Sequence, residues 1–466
     1  MEKPDEVDMK RLAAIILAAG KGTRMKSSLP KVLHPIAGRH MIEWVVEAAS
    51  ATGADPVVIV IGSGGDRIRD LFANSTGVIF ATQQEQLGTG HAVASAIGAL
   101  GDFNGDILIL CGDTPLLTPG TLKGLIASHR SSDSYATMLT AIVQNPHGYG
   151  RVIRDTAGKS ILRIAEQKDA TDDELRINEI NSGIYCMKSD FVFDNIDSLR
   201  SDNAQKEYYL TDMIPLAASS GLTLHGVPCL DPDEIMGVND RVQLAAASHM
   251  LRERINRSLM LSGVSMIDPE RTYIDHGTFI GGDTVIYPGC SITGGSVIGK
   301  NCLIENGAII SASHIGNGCH IKSGSVMEGA LLRDGVTVGP MAHLRPGTEL
   351  MDDVKIGNFV ETKKAVIGRG SKASHLTYLG DAEIGAEVNI GCGTITCNYD
   401  GISKHCTVIE DRVFIGSDVQ LVAPVKVGAN SLVAAGTTVT EDIPPDSLAI
   451  ARVPQLNKVG WRLKKR

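Results

Sequence analysis

The sequence predicts two folds in succession, an α/β domain with a Rossmann-like sheet and then a parallel β-helix. In the first half, apolar runs typical of buried strands alternate with segments of helical periodicity, which indicates a parallel sheet with helices on both faces. In the second half, pairs of an aliphatic residue and a glycine recur at spacings near multiples of six, the pattern of β-helix coils. A chain of 466 residues has room for two or three domains.

Composition excludes several classes of function. The net charge of −9 argues against nucleic acid or an anionic membrane as the main partner. No apolar run reaches transmembrane length and residues 1–6 are too acidic to begin a secretory signal, so we expect a cytoplasmic protein without stable membrane insertion. Nine cysteines without a Cys-x-x-Cys pair form neither a disulfide framework nor a zinc pattern. The polar leader, residues 1–10, is expected to be frayed.

A glycine-rich loop opens the first half. The apolar run 13–17 predicts a buried strand that delivers this loop. In the loop, Gly20 and Gly22 permit positive φ and let backbone N–H groups approach an anion. Arg24 and Lys31 add a forked and a point positive charge. The spacing fits neither Walker A nor the dinucleotide fingerprint, so an ordinary turn between strand and helix stays open beside phosphate binding.

The loop resembles the signature of the sugar-nucleotide nucleotidyltransferases, in which it wraps a nucleoside triphosphate. The resemblance implies that the nucleotide is bound by Leu17, Ala18, Ala19, Gly20 and Lys31. It also implies catalytic roles for Arg24 and Lys31, as cations that neutralise the charge developing in the transfer.

Polar segments follow two later strand-like runs. The segment 83–91 opens a predicted helix, where amides could read a base and the helix N-terminus could favour an anion. The candidate ligands there are Gln83, Gly88 and Thr89. The buried run 107–110 leads to Gly112 and Asp113. A turn cap is the commoner role for such an aspartate, but a strand end that faces a triphosphate favours Mg²⁺ ligation.

Three segments, 148–151, 166–169 and 179–183, read singly as turns or exposed polar patches. In this order they resemble the sugar-binding segments of uridylyltransferases that make UDP-N-acetylglucosamine. The resemblance implies that the sugar is held by Gly150, Glu166 and Asn181. It makes Asn239 the second Mg²⁺ ligand, whereas the alternative role is an N-cap that Asp240 is placed to supply.

A long helix is predicted between the two halves. Apolar residues from Leu244 to Leu259 are spaced for one helical face, and we interpret the helix as an arm that joins two domains. The predicted boundaries are a nucleotidyltransferase domain at 1–239, a linker helix at 240–262, and a β-helix domain with a C-terminal tail at 263–466.

Aliphatic–glycine pairs recur along the repeat half, from Ile280 with Gly281 to Val427 with Gly428. The aliphatic side chain of each repeat is expected inside the coil, and the residue after it at the corner. Flat sides of such coils favour association. The hexapeptide-repeat proteins that this half resembles are left-handed β-helices, and the resemblance implies a homotrimer with active sites between subunits.

Several residues interrupt the repeat with chemistry that a plain coil does not need. They are Arg345, Glu361, Lys363, Lys364, His375, Tyr378 and the segment 397–401. A lone histidine is more often a structural donor than a catalyst. His375, however, lies beside cations that could hold a phosphate, and an imidazole with the ordinary pKa of about 6.5 suits general base catalysis near neutral pH.

From Leu12 to Trp461 the sequence resembles a family of bifunctional enzymes that join a uridylyltransferase to a glucosamine-1-phosphate N-acetyltransferase. The resemblance implies that the repeat half acetylates glucosamine 1-phosphate with acetyl-CoA, with His375 as the base. The first half would then transfer UMP from UTP to N-acetylglucosamine 1-phosphate and release pyrophosphate, with Mg²⁺ on Asp113 and Asn239. The product, UDP-N-acetylglucosamine, is a precursor of bacterial peptidoglycan and lipopolysaccharide.

The same resemblance implies the ligand contacts of the repeat half. Glucosamine 1-phosphate would be bound by Arg345, Lys363, Tyr378 and Asn389. Acetyl-CoA would be bound by Cys392, Asn398, Tyr399, Ser417, Ala435 and Arg452. Glu361 is hypothesised to orient or polarise His375. Cys111 and Cys392 depart from the aromatic residue and the alanine of the family, and the basic tail at 461–466 is expected to be solvated rather than bound to CoA.

A second function stays open on the sequence alone. Some sugar nucleotidyltransferases carry hexapeptide coils only for assembly or regulation, so the chain could be a monofunctional sugar-1-phosphate nucleotidyltransferase with a scaffold. The cluster of Lys363, His375, Asn398 and Tyr399 favours the two-enzyme interpretation, because a scaffold does not need it.

Overall fold

The computed structural model describes residues 11–158 and 160–462. The leader at 1–10, predicted to be frayed, and the last residues of the basic tail, 463–466, lie outside this part. Contacts divide the chain into two compact units, Met1–Leu251 and Arg252–Arg466. The division falls inside a long helix, Arg241–Leu261.

Strands and helices alternate along the first unit. Its strands are β1 (Leu12–Leu17), β2 (Pro35–Ile36), β3 (Arg39–His40), β4 (Val57–Gly62), β5 (Val78–Gln83), β6 (Asp106–Cys111), β7 (Ala136–Ile142), β8 (Arg151–Arg154), β9 (Ile161–Ala165), β10 (Glu179–Lys188) and β11 (Leu224–Pro228). Its α-helices are α1 (Met41–Ser50), α2 (Asp66–Leu71), α3 (Thr89–Leu100), α4 (Pro119–Ser131), α5 (Ser189–Asn195), α6 (Met213–Ser219) and the start of α7 (Arg241–Leu261).

β1 is an interior strand of the main sheet, whose strand order is β11-β7-β10-β6-β1-β4-β5. It pairs in parallel with β4 and β6. β10 departs from the expected parallel arrangement, because it runs antiparallel to both β6 and β7. The hairpin of β8 and β9 precedes β10, and since no crossover helix returns the chain to the starting edge, the strand enters in the opposite direction.

Helices cover both faces of this sheet and bury β1 up to its last residue. Ala14 and Ile16 pack in one apolar cluster with side chains of α1 and α4. Ala13 and Ile15 pack in a second cluster with side chains of α3, α5 and α6. All four are 0 % exposed. The alternation confirms the predicted buried strand and the two helical layers.

The helix α7 begins after Asp240, whose Oδ1 accepts hydrogen bonds from the backbone N–H groups of Val242 and Gln243 at 2.9 Å each. Asp240 is therefore the N-cap, as predicted, and the side chain of Asn239 is left for another role. Within the described residues, no helix combines the length and the apolar character needed to cross a membrane.

Short strands wind the second unit into coils whose strands form two sheets. The 11-stranded sheet contains Ser265–Met266, Val285–Ile286, Leu303–Ile304, His320–Ile321, Thr337–Val338, Lys355–Asn358, Lys372–His375, Asn389–Ile390, Phe414–Ile415, Leu432–Val433 and Leu448–Ala449. The 17-stranded sheet contains Tyr273–Ile274, Phe279–Ile280, Ser291–Thr293, Val297–Ile298, Ile309–Ser311, His314–Ile315, Val326–Glu328, Leu331–Leu332, His343–Leu344, Glu349–Leu350, Glu361–Ile367, Tyr378–Ile384, Ile395–Cys397, Thr407–Ile409, Gln420–Val422, Val425–Val427 and Thr438–Val439.

Aliphatic side chains at six-residue spacing fill the interior of these coils. Examples that are at most 3 % exposed and share one core cluster are Ile280, Ile286, Ile292, Ile298 and Ile304. Coils approach closely at the corners, since a Cβ on Gly281 would lie 2.7 Å from the backbone of the next coil. The predicted β-helix, with an aliphatic interior and glycine corners, is confirmed.

Candidate active sites

A cavity of about 490 Å³ lies at the carboxyl ends of β1, β5 and β6, beside the start of α3. Ligands of open α/β sheets bind at this edge of the sheet. Its walls include the predicted nucleotide residues Leu17, Ala18, Ala19, Gly20, Lys31, Gln83, Gly88, Thr89 and Asp113. Glu207 also lines the cavity. Sequence analysis missed it, because no local sequence pattern distinguishes it from its neighbours.

Gly22 fixes the shape of the loop after β1. Its φ is +59°, and a Cβ there would lie 2.7 Å from the Cβ of Lys31. Gly20 is not in the left-handed region, and no heavy atom lies within 4 Å of the place a Cβ would take. The chain itself therefore requires glycine at Gly22, whereas Gly20 leaves space at the wall of the cavity.

The two predicted metal ligands meet the two predicted cations beside this cavity, whose walls include Lys31 and Asp113. Lys31 Nζ donates to Asp113 Oδ2 and, at 3.1 Å, to Asn239 Oδ1. Arg24 Nη2 also donates to Asn239 Oδ1, at 2.9 Å. The structure thus brings together four residues that sequence analysis selected from three separate segments.

The oxygen pair of Asp113 and Asn239 fits Mg²⁺, which takes few protein ligands and completes its shell with phosphates and water. Within the described residues, no group of three or more His, Cys, Asp and Glu side chains could hold a metal ion. Because the ammonium of Lys31 bonds both oxygens, a metal at this pair requires that Lys31 move to another anion, such as a phosphate.

Side-chain amides of glutamine residues fix the conformation of the segment before α3. Gln83 Nε2 donates to Gly88 O at 3.0 Å, and Gln86 Nε2 donates to Ala19 O. Thr89 Oγ1 accepts from the N–H of Leu210 at 3.0 Å. The side-chain amides that were expected to read a base therefore also fix the loop before α3. The hydrogen bond from Leu210 ties a later segment of the chain to the start of α3.

The three predicted sugar residues lie at neighbouring strands, with Gly150 just before β8, Glu166 just after β9 and Asn181 in β10. Gly150 O accepts a hydrogen bond from the N–H of Asn181 at 2.9 Å. A Cβ on Gly150 would lie 2.7 Å from Ile164 Cγ2 and 3.4 Å from Glu166 Oε1. Tyr185 donates its hydroxyl to Asn181 Oδ1 at 3.0 Å, which fixes this amide. Glycine at Gly150 is needed for the close approach of β8 and β9.

Glu166 is largely enclosed and surrounded by acids. Burial raises the pKa of its carboxyl, and the carboxylates of Asp169, Asp212 and Glu207 raise it further. The hydroxyl of Thr211, which donates to Glu166 Oε1 at 3.1 Å, acts in the opposite direction. The charged form of Glu166 is therefore held in the native state at an energetic cost.

Cys111 contributes a thiol to the cavity wall. Burial, with a further contribution from the carboxylate of Asp113, raises the pKa of this thiol to about 12. A protonated, enclosed thiol is a poor nucleophile at neutral pH. The adjacent Gly112 donates its N–H to Leu17 O at 2.9 Å, so Gly112 joins the ends of β6 and β1.

In the second unit, predicted acetyl-CoA residues fall on one edge of the β-helix together with His375. The bonds that stack this edge from coil to coil are Gly393 N to Leu376 O at 3.0 Å, Asp418 N to Cys392 O at 2.7 Å, Gly436 N to Ser417 O at 2.8 Å, and Arg452 Nη1 to Ala435 O at 2.7 Å. With about 4.8 Å between neighbouring strands, the edge extends roughly 19 Å from His375 to Arg452. An extended ligand can contact one residue per coil along it.

The exposed imidazole of His375 has an amide as its partner. Its Nδ1 lies 2.7 Å from Asn358 Oδ1. Glu361, which was hypothesised to orient His375, instead accepts a hydrogen bond from Arg345 Nη1 at 2.8 Å. The strands Lys355–Asn358 and Lys372–His375 lie in the 11-stranded sheet, whereas Glu361 lies in the other sheet, which explains the difference.

A cluster of cations lies around Lys363 in the same unit. The ammonium of Lys404 lowers the pKa of Lys363, and the guanidinium of Arg345 lowers it further. Like charges held together favour an anion between them. Tyr378 pairs with Glu361 on the next strand, close to this cluster. Sequence analysis missed Lys404. The only local sign of its role is that it is a basic residue shortly after the turn at Asp400.

Lys404 is carried by a hairpin in which it bridges to Tyr399. Asp400 shapes the turn, because its Oδ1 accepts the N–H groups of Ile402 at 2.8 Å and Ser403 at 2.7 Å. These bonds, together with His405, hold the pKa of Asp400 far below its usual range.

Two predicted ligands have other surroundings. The buried Asn398 donates from Nδ2 to the carboxylate of Asp381. Asn389 lies in the 11-stranded sheet, where it pairs with Lys372 and Phe414, so it does not share a sheet with Arg345, Lys363 and Tyr378.

We predict that Gly22→Ala weakens the binding of UTP to the first unit by about 10- to 100-fold, because the added Cβ displaces Lys31. Titration of UTP into the full chain measures this. Gly98→Ala in α3 is the matched control, since no atom lies within 4 Å of its Cβ position. Unchanged UTP affinity in Gly22→Ala would contradict the assignment of this loop.

We predict that Glu166→Gln raises the thermal midpoint of unfolding near neutral pH, and that the gain fades as the pH falls, because the raised pKa lets wild-type Glu166 take up a proton earlier than an ordinary carboxyl does. Calorimetry of both proteins tests this.

Glu174→Gln provides a control of opposite sign. The N–H of Thr171 lowers the pKa of Glu174, so the charged form stabilises the native state. This variant should therefore lose stability near neutral pH, and the loss should fade only as the pH falls into the acid range. A shift of the same sign in both variants would refute the interpretation.

Three family models match parts of the chain. The MobA-like NTP transferase domain matches residues 14–173, the GMPPB C-terminal domain matches 270–367, and the bacterial transferase hexapeptide (six repeats) matches 406–441. The first match lies in the α/β unit and the other two lie in the β-helix. They confirm the predicted fold class, an α/β Rossmann-like nucleotidyltransferase domain followed by a left-handed parallel β-helix of hexapeptide repeats.

Full-length relatives match both halves. The bifunctional protein GlmU of Pelobacter propionicus is 64% identical over 456 residues, which are 98% of this chain and 99% of that protein. GlmU of Geotalea uraniireducens is 60% identical over 458 residues, 98% of this chain and 100% of that protein. GlmU of Geotalea daltonii is 58% identical over 456 residues, with the same shares. The resemblance to a bifunctional family is confirmed, and the chain belongs to the family of the bifunctional protein GlmU.

Proposed function

We propose that this chain catalyses two successive transfers in the synthesis of UDP-N-acetylglucosamine. The second unit acetylates glucosamine 1-phosphate with acetyl-CoA, and the first unit transfers UMP from UTP to N-acetylglucosamine 1-phosphate. The observation that carries the proposal is the edge of the β-helix, where His375 and four of the predicted acetyl-CoA residues, Cys392, Ser417, Ala435 and Arg452, lie on successive coils. Family members that are named bifunctional support it.

Acetyl transfer needs a base, because the protonated amine of glucosamine 1-phosphate has no lone pair. His375 takes this proton, which contributes about 10²- to 10⁴-fold to the rate. The amine nitrogen then attacks the thioester carbonyl, a C–N bond forms, the C–S bond breaks, and CoA leaves. No cysteinyl intermediate is required.

The cation cluster holds the sugar phosphate. Arg345, Lys363 and Lys404 supply positive charge, and Tyr378 lies beside them to contact the sugar. Asn389 is proposed as a further sugar contact. Binding of a phosphate relieves the repulsion that lowers the pKa of Lys363, so the site is prepared for an anion.

Acetyl-CoA lies along the edge, with its thioester at His375 and the rest of the molecule directed towards Arg452. Contacts come from Cys392, Ser417, Ala435 and Arg452 on the edge, and from Asn398 and Tyr399 at the hairpin. Side chains at this edge are small except at its ends, which leaves room for an extended ligand.

Uridylyl transfer takes place in the cavity of the first unit. An oxygen of the sugar phosphate attacks the α-phosphorus of UTP, and pyrophosphate leaves. Arg24 and Lys31 neutralise charge on the phosphates. Gly150, Glu166 and Asn181 hold the sugar, and Gln83, Gly88 and Thr89 hold the nucleotide.

Mg²⁺ is proposed as the cofactor of this half, held by Asp113 and Asn239. It would supply positive charge at the triphosphate. In exchange, the triphosphate would draw the ammonium of Lys31 away from the oxygen atoms that it now bonds.

A homotrimer in the cytoplasm is the proposed state of the protein. Half-exposed apolar side chains line one flat side of the coils, where Phe414 pairs with Leu432 and Leu432 pairs with Leu448. Such a surface supports association of β-helices. The acidic net charge supports small-molecule substrates rather than nucleic acid as ligands.

The alternative of a scaffold without chemistry explains less. A scaffold has no need to join His375 to an amide, or to hold Lys363, Lys404 and Arg345 together against repulsion.

We predict that His375→Ala lowers acetyl transfer by at least about 100-fold while uridylyl transfer stays at the wild-type rate. Asp113→Ala should have the reverse pattern, because it removes one proposed metal ligand. The two activities are assayed separately on each purified variant, by release of CoA thiol and by release of pyrophosphate.

Each variant is thus the control of the other. Loss of both activities in His375→Ala, with a changed thermal midpoint, would indicate unfolding. Full acetyl transfer in His375→Ala would refute its role as the base.

A further inference from the structure

We propose that Asn358 is a positioning residue that holds His375 in the tautomer needed for acetyl transfer. The inference rests on the proposed role of His375 as the base. In it, the protonated Nδ1 donates to Asn358 Oδ1, and Nε2 carries the lone pair that takes the proton from the amine. The resemblance that identified His375 did not include Asn358 among the functional residues.

The backbone brings the two side chains into register. Asn358 lies directly opposite His375 in the parallel pairing of their strands. The N–H of Leu376 donates to Asn358 O at 3.1 Å, which ties the two corners together. With the backbones tied in this way, the 2.7 Å contact between Asn358 Oδ1 and His375 Nδ1 joins the ends of two neighbouring coils.

Both residues precede a strained corner. Phe359 and Leu376, which follow them, have φ of +56° and +44°. Bulky side chains rarely adopt this left-handed conformation, and such strain tends to collect at functional sites. The strain ends both strands at the same level and leaves Asn358 and His375 side by side at the edge.

The neighbouring carboxylates are engaged elsewhere. Glu361 accepts from Arg345, and Asp381 accepts from Asn398. The partner of the imidazole is therefore a neutral amide. A carboxylate in its place would favour the charged imidazolium, which has no lone pair to accept a proton. A neutral acceptor selects the tautomer without that penalty.

The contact also fits the proton balance of the reaction. When the amine loses its proton, an N–H bond breaks and Nε2 becomes protonated. Nδ1 keeps its own proton, so its hydrogen bond to Asn358 persists in the imidazolium. The proton on Nε2 can then pass to the CoA thiolate, which restores the starting tautomer.

Two substitutions separate this role from a structural one. Asn358→Leu keeps the approximate volume and removes the acceptor, whereas Asn358→Asp keeps the acceptor and adds a negative charge. Asn306→Leu is the matched control, because Asn306 is an exposed residue on a distant coil whose carbonyl likewise accepts an N–H from the next coil. Acetyl transfer is measured from about pH 5.5 to pH 9 with the full chain, and uridylyl transfer is measured in parallel.

We expect Asn358→Leu to lower kcat of acetyl transfer by at least about tenfold, with little change in KM for either substrate. We expect Asn358→Asp to keep more of kcat and to move the acid limb of its pH profile up by about one unit. The rate of uridylyl transfer in both Asn358 variants should match that of the wild type. Both activities of Asn306→Leu should also match those of the wild type.

A wild-type kcat in Asn358→Leu, or an acid limb in Asn358→Asp that does not move, would overturn the proposal. If Asn358→Leu loses uridylyl transfer as well, the coil is damaged, and Asn358→Asp alone decides the result. His375→Ala is assayed in the same series. If His375→Ala keeps acetyl transfer, the proposed base is wrong. That outcome is distinct from an unchanged kcat in Asn358→Leu, which would refute only the role of Asn358.

Discussion

Stacking of one coil on the next decides where the polar residues of the second unit lie. Isoleucine side chains such as Ile292 and Ile298 fill the interior at a fixed spacing, and each strand bonds to the strand one coil away. Residues from separate repeats therefore meet on one edge, as Asn358 does with His375. Additional residues can enter only as loops at a corner, and one such loop brings Lys404 to Lys363.

In the first unit, the positive charge of Lys31 brings together polar residues from distant parts of the sequence. Lys31 bonds Asp113, 82 residues away in sequence, and Asn239, 208 residues away. A backbone bond supports this arrangement, because the N–H of Val238 donates to Asp113 O at 2.8 Å. Without ligand, cations and oxygens satisfy one another. A metal and a triphosphate could replace these partners together, since one attracts the oxygens and the other attracts Lys31.

Sequence periodicity predicted both folds because each period reflects which side chains face a core. The loop at Gly22 and the cap at Asp240 were also predictable, because turn and cap chemistry is local, whereas the pair of Asp113 and Asn239 was implied only by the resemblance to a family. The direction of β10 was not predictable, since it depends on a hairpin whose strands are short. The partner of His375 was missed because a register between coils, rather than a sequence neighbour, places Asn358 there.

We propose that the β-helix is itself an enzyme and that it needs neither nucleotide nor metal. The most direct test is release of CoA thiol from acetyl-CoA by the purified full chain, with glucosamine 1-phosphate present, UTP absent and divalent metal removed by a chelator. We predict thiol release that depends on glucosamine 1-phosphate. The proposed acetyl transfer is refuted if no thiol appears while the same preparation, supplied with Mg²⁺, UTP and N-acetylglucosamine 1-phosphate, still forms pyrophosphate.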